Sequence, residues 1–211
     1  MNRFLKGAMI LTIAGVIVKI IGAFSKVLVA RILGGEGIGL YMMAYPIYQI
    51  IVSISAAGIP VAISIMIAEK LANRDMRGVQ QVFNVSLRVL TLVGIVFSVG
   101  LYASAEWLIK WNIITDPRAL IPIQLLSPAI IVVTILSCFR GYFQGFQYMV
   151  PTGTSQVFEQ IFRVGSMVGL AYYFIDSGLH MAAGGATFAT FPGVLAGLIV
   201  LVYFYRSQRS L

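Results

Sequence analysis

Charge is what this sequence has least of. Only 10% of its 211 residues are Asp, Glu, Lys or Arg, against roughly a quarter in a soluble domain, which excludes a water-soluble globule. Acids are the scarcer sign: 7 Asp and Glu stand against 15 Lys and Arg, a net charge of +8. There is one cysteine, Cys138, in an apolar run, so no internal disulfide can form. The lone histidine, His180, lies in a short polar turn and reads as solvated. With so little His and Cys, no metal-ligand cluster and no nucleophile–His–acid set can be assembled, and no phosphate-cradling glycine loop is present. No cofactor is expected. The polar–apolar alternation of a β-barrel is missing, as is the low hydrophobicity of a disordered chain. The first apolar run is too long for a signal-peptide core and has no convincing small-residue cleavage site.

What is abundant is apolar sequence, 59% of the chain. Long apolar runs imply spanning α-helices, because every backbone N–H and C=O must be paired inside lipid. At roughly 20 residues per span, the expected architecture is an all-α integral membrane protein with six transmembrane helices, at about 8–30, 39–68, 81–105, 119–143, 154–175 and 181–205. The separators are distinctive. RILGGEGIG (31–39) is glycine-rich and breaks the first helix, and EKLANRDMRG (69–78) is charged. AEWLIKWNIITDPR (105–118) is amphipathic, RGYFQGFQYMVPTG (140–153) carries glycines that read as turns and Pro151, and DSGLH (176–180) is a polar turn. Pro46 and Pro60 can bend the second span, and Pro122 and Pro128 mark the fourth. Arg3, Lys6, Lys70, Arg74, Arg77, Arg140, Arg206 and Arg209 fall on one side, against Arg31, Lys110 and Arg118 on the other. That bias predicts cytoplasmic termini and explains the net charge by anionic lipid rather than nucleic acid. Most of the 10 Tyr and 13 Phe belong to lipid-facing or interfacial positions, and the 9 Met to gap-filling.

Ionisable groups inside a span are costly and usually face a bundle interior or wet cavity. Lys19 lies mid-span in the first helix, and Lys26 follows seven residues on, nearly on the same face, with Gly15 and Gly22 beside them. This basic, small-residue stripe leaves room for an anion, although Lys26 can also snorkel outward. The fifth span carries Gln156, Glu159, Gln160 and Arg163, and the spacing of Glu159 and Arg163 permits an intrahelical ion pair. Gln81, Asn84 and Arg88 share a face at the start of the third span, and Tyr45, Gln49 and Ser53 share one in the second. The candidate anion contacts are thus Lys19, Lys26, Arg163, Glu159 and Arg88: four cations and one acid, an excess that suits an anionic cargo.

Three segments carry a family resemblance: RILGGEGIGLYMMAYPIYQI (31–50), GIPVAISIMIAEKLANRD (58–75) and, most specifically, RGYFQGFQYMVPTGTSQVFEQIFRV (140–164). They resemble the bacterial polysaccharide-transport flippases, in the branch of the stage V sporulation proteins (SpoVB) and Gram-positive MurJ-type lipid II flippases of the multidrug/oligosaccharidyl-lipid/polysaccharide exporter superfamily. The resemblance implies two six-helix lobes around an alternating-access cavity in the bacterial plasma membrane. It implies as cargo an undecaprenyl-pyrophosphate-linked oligosaccharide for cell wall, spore cortex or capsule. Basic residues line such a cavity on the first helix. Lys19, just before Ile20-Ile21-Gly22, matches one such position, while Ser25 stands at the next, with Lys26 adjacent. Proteins of this kind are more than twice as long, so residues 1–211 are expected to form the amino-terminal lobe, with a carboxy-terminal lobe as its missing partner.

A flippase moves its cargo without covalent change, so no enzyme activity is expected. One alternative is a cation-coupled multidrug antiporter, which would use Glu159. Another is a membrane enzyme acting on lipid-linked glycans through Glu106, Asp116 or Asp176, and a third is an inert scaffold lobe.

Overall fold

A computed structural model describes residues 3–56 and 58–209. Among them there are helices and no strands: α1 (Arg3–Ala56), α2 (Ile59–Ala72), α3 (Met76–Lys110), α4 (Leu120–Gly145), α5 (Val150–Phe174), α6 (Leu179–Phe188) and α7 (Thr190–Arg209). Four stretches are long and apolar enough to cross a membrane, Leu5–Ala72, Met76–Lys110, Pro117–Gly145 and Leu179–Gln208. The chain has an all-α membrane fold.

The 54 residues of α1 would reach about 80 Å if straight, more than twice a hydrocarbon core of about 30 Å. They turn back at Gly34, whose φ of 66° and ψ of −175° lie in a region essentially closed to any residue with a Cβ. The glycine-rich segment is therefore not a loop; one residue hinges two helical arms. The expected second span is itself divided, because helix stops at Ala56 and restarts at Ile59, ahead of Pro60. The sixth is stepped at Ala189, between α6 and α7.

Contacts fix the alternation of the rods. Glu36, just past the bend, reaches Arg118 at the head of α4 at 2.7 Å, and Leu179 at the head of α6 packs on Gly37. The end of α3 and the end of α5 lie at this same end, with Trp107, Trp111, Tyr172 and Tyr173 exposed there, the placement aromatic side chains favour at a membrane interface. At the opposite end Gly7 packs on Met149, and Gln80 on α3 donates to the Tyr205 hydroxyl on α7 at 3.1 Å.

Helix α4 is the central post: 56% of its most apolar window is buried, against 13% for the first stretch. One apolar core joins the second arm of α1 to the first half of α4 and α6 (Leu40, Tyr48, Ile123, Ile130, Ala183). The other joins α2, the start of α3 and α7 to the second half of α4 (Ile67, Phe83, Phe143, Leu201). Gly141 and Gly145, read from the sequence as turns, lie inside α4 instead. Their four-residue spacing makes a bare face against α2, where a Cβ would come within 2.9 Å of the Pro60 carbonyl and 3.0 Å of that of Ser64. Gly193 and Gly197 let α7 approach the backbone of α5 in the same way.

Candidate functional site

The bend in α1 creates the site. A straight helix would hold Gly22 and Tyr45 about 35 Å apart. Folded at Gly34, the two arms and α5 instead wall a groove of about 420 Å³. The first arm contributes Lys19, Gly22, Ser25 and Lys26, the second Tyr41, Met42 and Tyr45, and α5 Gln160, Arg163 and Met167. Among the described residues, three cations line it and no carboxylate does. Lys19 and Lys26 are exposed along it, and among the described residues neither has an ion-pair partner. Lys19 stands fifteen residues before the bend, about 22 Å along the helix, well inside a membrane-spanning length.

Aromatic rings and one amide set the groove's inner wall. Tyr41 and Tyr45 stack, with centroids 5.5 Å apart and planes 16° from parallel. Arg163 donates from Nη1 to the Tyr45 hydroxyl at 3.0 Å and from Nη2 to Oε1 of Gln160. A guanidinium has only donors, so the amide oxygen of Gln160 must face Arg163 and its NH₂ must point the other way. That NH₂ abuts Gly22, where a Cβ would lie 3.0 Å from Nε2. Gln160 is 2% exposed, and its Nε2 has no hydrogen-bond partner. A buried donor without an acceptor is uncommon enough in folded proteins to require an explanation.

The acid expected in the site is not there. Glu159 pairs across helices with Arg140 of α4, Nη2 to Oε2 at 2.7 Å, rather than with Arg163 one turn along its own helix. The intrahelical pair is overturned because Arg163 turns toward the second arm of α1 while Glu159 turns toward α4. Arg140 also reaches the Ser155 hydroxyl at 3.4 Å. It is therefore an internal residue of the bundle, although the sequence placed it in the separator 140–153 among the cations of one side. Arg88 is also outside the groove: it lies on the exposed side of α3 beside Gln81 and Asn84. Of the five candidates, then, Lys19, Lys26 and Arg163 come together and Glu159 and Arg88 do not. The sequence reading missed Tyr41 as a groove residue, although the Tyr41–Tyr45 spacing of four placed both on one face. Gln49 and Ser53, which share a stripe with Tyr45, do not line the groove.

No group of three or more His, Cys, Asp or Glu among the described residues could hold a metal ion. Outside the groove, the Glu36–Arg118–Asp116 cluster holds the bend of α1 to the turn before α4, with Arg118 2.8 Å from Asp116. Hydrogen bonds from Arg118 pull the Asp116 carboxyl below its ordinary value of 3.8.

The model of a family described as polysaccharide biosynthesis protein matches residues 4–211. The chain belongs to that family. Stage V sporulation protein B of Bacillus subtilis (strain 168) is 34% identical over 210 residues, covering 100% of this chain and 40% of that protein. Lipid II flippase MurJ of the same organism is 29% identical over 219 residues, covering 99% of this chain and 40% of the flippase. This member of the polysaccharide biosynthesis family thus spans about two fifths of the length of the curated relatives it matches. Among solved structures, a MATE transporter in complex with MaD3S superposes with a TM-score of 0.84 at 16% identity, over 99% of this chain and 46% of that one. A MOP superfamily transporter from Pyrococcus furiosus gives 0.78 at 18% identity, over 99% and 46%. Identities this low show the fold alone. Helices long and apolar enough to cross a bilayer, together with membership of this family, make this a multi-pass membrane protein.

Proposed function

We propose that residues 1–211 form the amino-terminal lobe of a flippase for an undecaprenyl-pyrophosphate-linked oligosaccharide, lipid II or a related polysaccharide precursor, and that the groove receives its pyrophosphate. In this reading the chain crosses the bacterial plasma membrane six times with cytoplasmic termini, and the part of the relatives that it does not match supplies the opposite wall. The supporting observation is the charge of the groove: among the described residues Lys19, Lys26 and Arg163 line it and no carboxylate does, and Glu159 is neutralised elsewhere by Arg140.

Moving a pyrophosphate unaccompanied through hydrocarbon costs tens of kcal/mol by Born estimates. Fixed cations remove most of that cost while the polyprenyl tail stays in the bilayer. Gln160, through Oε1, holds the Arg163 guanidinium at the groove wall beside them. Tyr41 and Tyr45 offer a stacked face of the kind that sugar rings pack against. An anion moving outward gains about 2.3 kcal/mol per charge for each 100 mV of inside-negative potential, so the step needs no nucleotide. Rocking of the lobes would expose the groove to each side in turn, with no bond made or broken in the cargo.

Binding of undecaprenyl pyrophosphate to the intact protein in detergent tests this. Charge-assisted hydrogen bonds contribute about 1.5–3 kcal/mol each, so Lys19→Ala should weaken binding by about 10- to 100-fold while Lys110→Ala, at the exposed far end of α3, leaves it unchanged. Equal affinity in Lys19→Ala and the parent sinks the reading. A cation-coupled antiporter would instead lose dye efflux in Glu159→Gln, and an enzyme would return a covalently altered lipid head.

A further inference from the structure

Two recesses adjoin on the outer side of α2 and α3, about 420 and about 500 Å³ in volume, sharing Arg77, Gln81 and Val85. They are separate from the groove: no residue lines both. Arg77, Gln81, Asn84 and Arg88 fall at i, i+4, i+7 and i+11, one stripe of α3. Below it the same face becomes wholly apolar, with Val89, Leu92 and Val96 more than half exposed. No carboxylate lies within ion-pair distance of Arg77 or Arg88 among the described residues. The one acid on the lining, Asp75, is engaged: it accepts from the Gly78 N–H at 2.8 Å and lies 4.0 Å from Lys70.

Depth gives the stripe its meaning. The 35 residues of α3 span about 52 Å; centred on a hydrocarbon core of about 30 Å, the helix overhangs it by about 11 Å at each end. Arg77 then stands among headgroups. Arg88, twelve residues from the helix start, stands about 7 Å inside the hydrocarbon boundary, where its guanidinium needs an anion or a reach back to the interface. A phospholipid has this same layout, a phosphate above two acyl chains.

We propose that this stripe is a binding site for an anionic phospholipid: the phosphate sits between Arg77 and Arg88, Gln81 donates to the headgroup, and the chains lie along Leu92 and Val96. Charge complementarity selects the headgroup, and the exposed apolar continuation selects a lipid over a free anion. The site couples the bilayer to α2 and α3, and through Gln80 and Tyr205 to α7.

The test uses the intact protein in nanodiscs of phosphatidylcholine with and without phosphatidylglycerol. Two arginines on an anionic headgroup should raise the melting temperature by about 4 °C in phosphatidylglycerol, and native mass spectrometry should show the lipid retained. R77Q/R88Q should abolish both effects, each single variant should lose part, and Lys19→Gln should keep both, which separates this site from the groove. Equal melting temperatures in the two lipids would overturn the proposal, as expected if a protein partner covers the stripe. So would a shift that survives in R77Q/R88Q, or an equal shift produced by inorganic phosphate in phosphatidylcholine alone.

Discussion

At the scale of single residues, the decisive fact is which charge meets which. Arg140 and Glu159 keep 19% and 21% of their side-chain exposure, so the pair is partly desolvated. Breaking a fully buried pair costs about 3–5 kcal/mol because one charge is left alone; with this much exposure about 2 kcal/mol is expected for Glu159→Gln. Unfolding in increasing SDS should show that loss with undecaprenyl pyrophosphate binding intact, since Glu159 does not line the groove. Gln160 makes the complementary case. Gln160→Leu removes the acceptor that orients Arg163 and should weaken binding by about 10- to 100-fold, the range of one hydrogen bond to a charged group; unchanged affinity would show that Arg163 does not need Gln160 to meet the ligand.

At the scale of elements, helices meet where side chains are absent. Gly34 gives α1 its bend, and the bend gives the groove its second wall. Gly34→Ala forces a Cβ into a backbone region that costs about 1–3 kcal/mol, and it should lower thermal stability and undecaprenyl pyrophosphate affinity together. Gly145→Val instead drives a side chain into Ile67, whose Cβ a Cβ at 145 would approach to 2.7 Å. Overpacking of this sort costs about 1–3 kcal/mol, so stability should fall while binding per folded molecule does not. Measuring both properties on both variants separates a hinge from a packing surface. The sequence marked these glycines without distinguishing them. A glycine run reads as a loop whether it hinges at one residue, as at 34, or bares a helix face, as at 141 and 145; only the neighbouring helix tells the two apart.

At the scale of the whole molecule, the two arms of α1 are held bent at one end by Glu36, Arg118 and Asp116. The Asp116 carboxyl is depressed in the folded state, so its contribution to stability is complete above its ordinary value of 3.8 and is lost as pH falls through that value and below. Thermal stability should therefore decline as pH falls through about 4 and below in the parent. The part of that decline owed to this carboxyl should be missing in Asp116→Asn. A profile that Asp116→Asn leaves unaltered would show that the cluster does not carry the acid sensitivity.

Composition by itself determined the solvent: so few charges among so many apolar residues can only be stable in lipid, and lipid admits helices because it cannot satisfy an open backbone. The segments at 31–50, 58–75 and 140–164 carried the kinship, and Lys19 and Lys26 on one helical face were legible because helical periodicity is local. Tertiary structure alone decided the partners. Glu159 could be paired from spacing only with Arg163, since a one-dimensional reading sees neighbours along a helix and not across one. The fold brought Arg140 to Glu159, turned Arg163 toward Tyr45, and set Arg88 on the outer side, because the direction in which a side chain points depends on how each rod is rotated against its neighbours. That rotation is fixed by packing over the whole bundle.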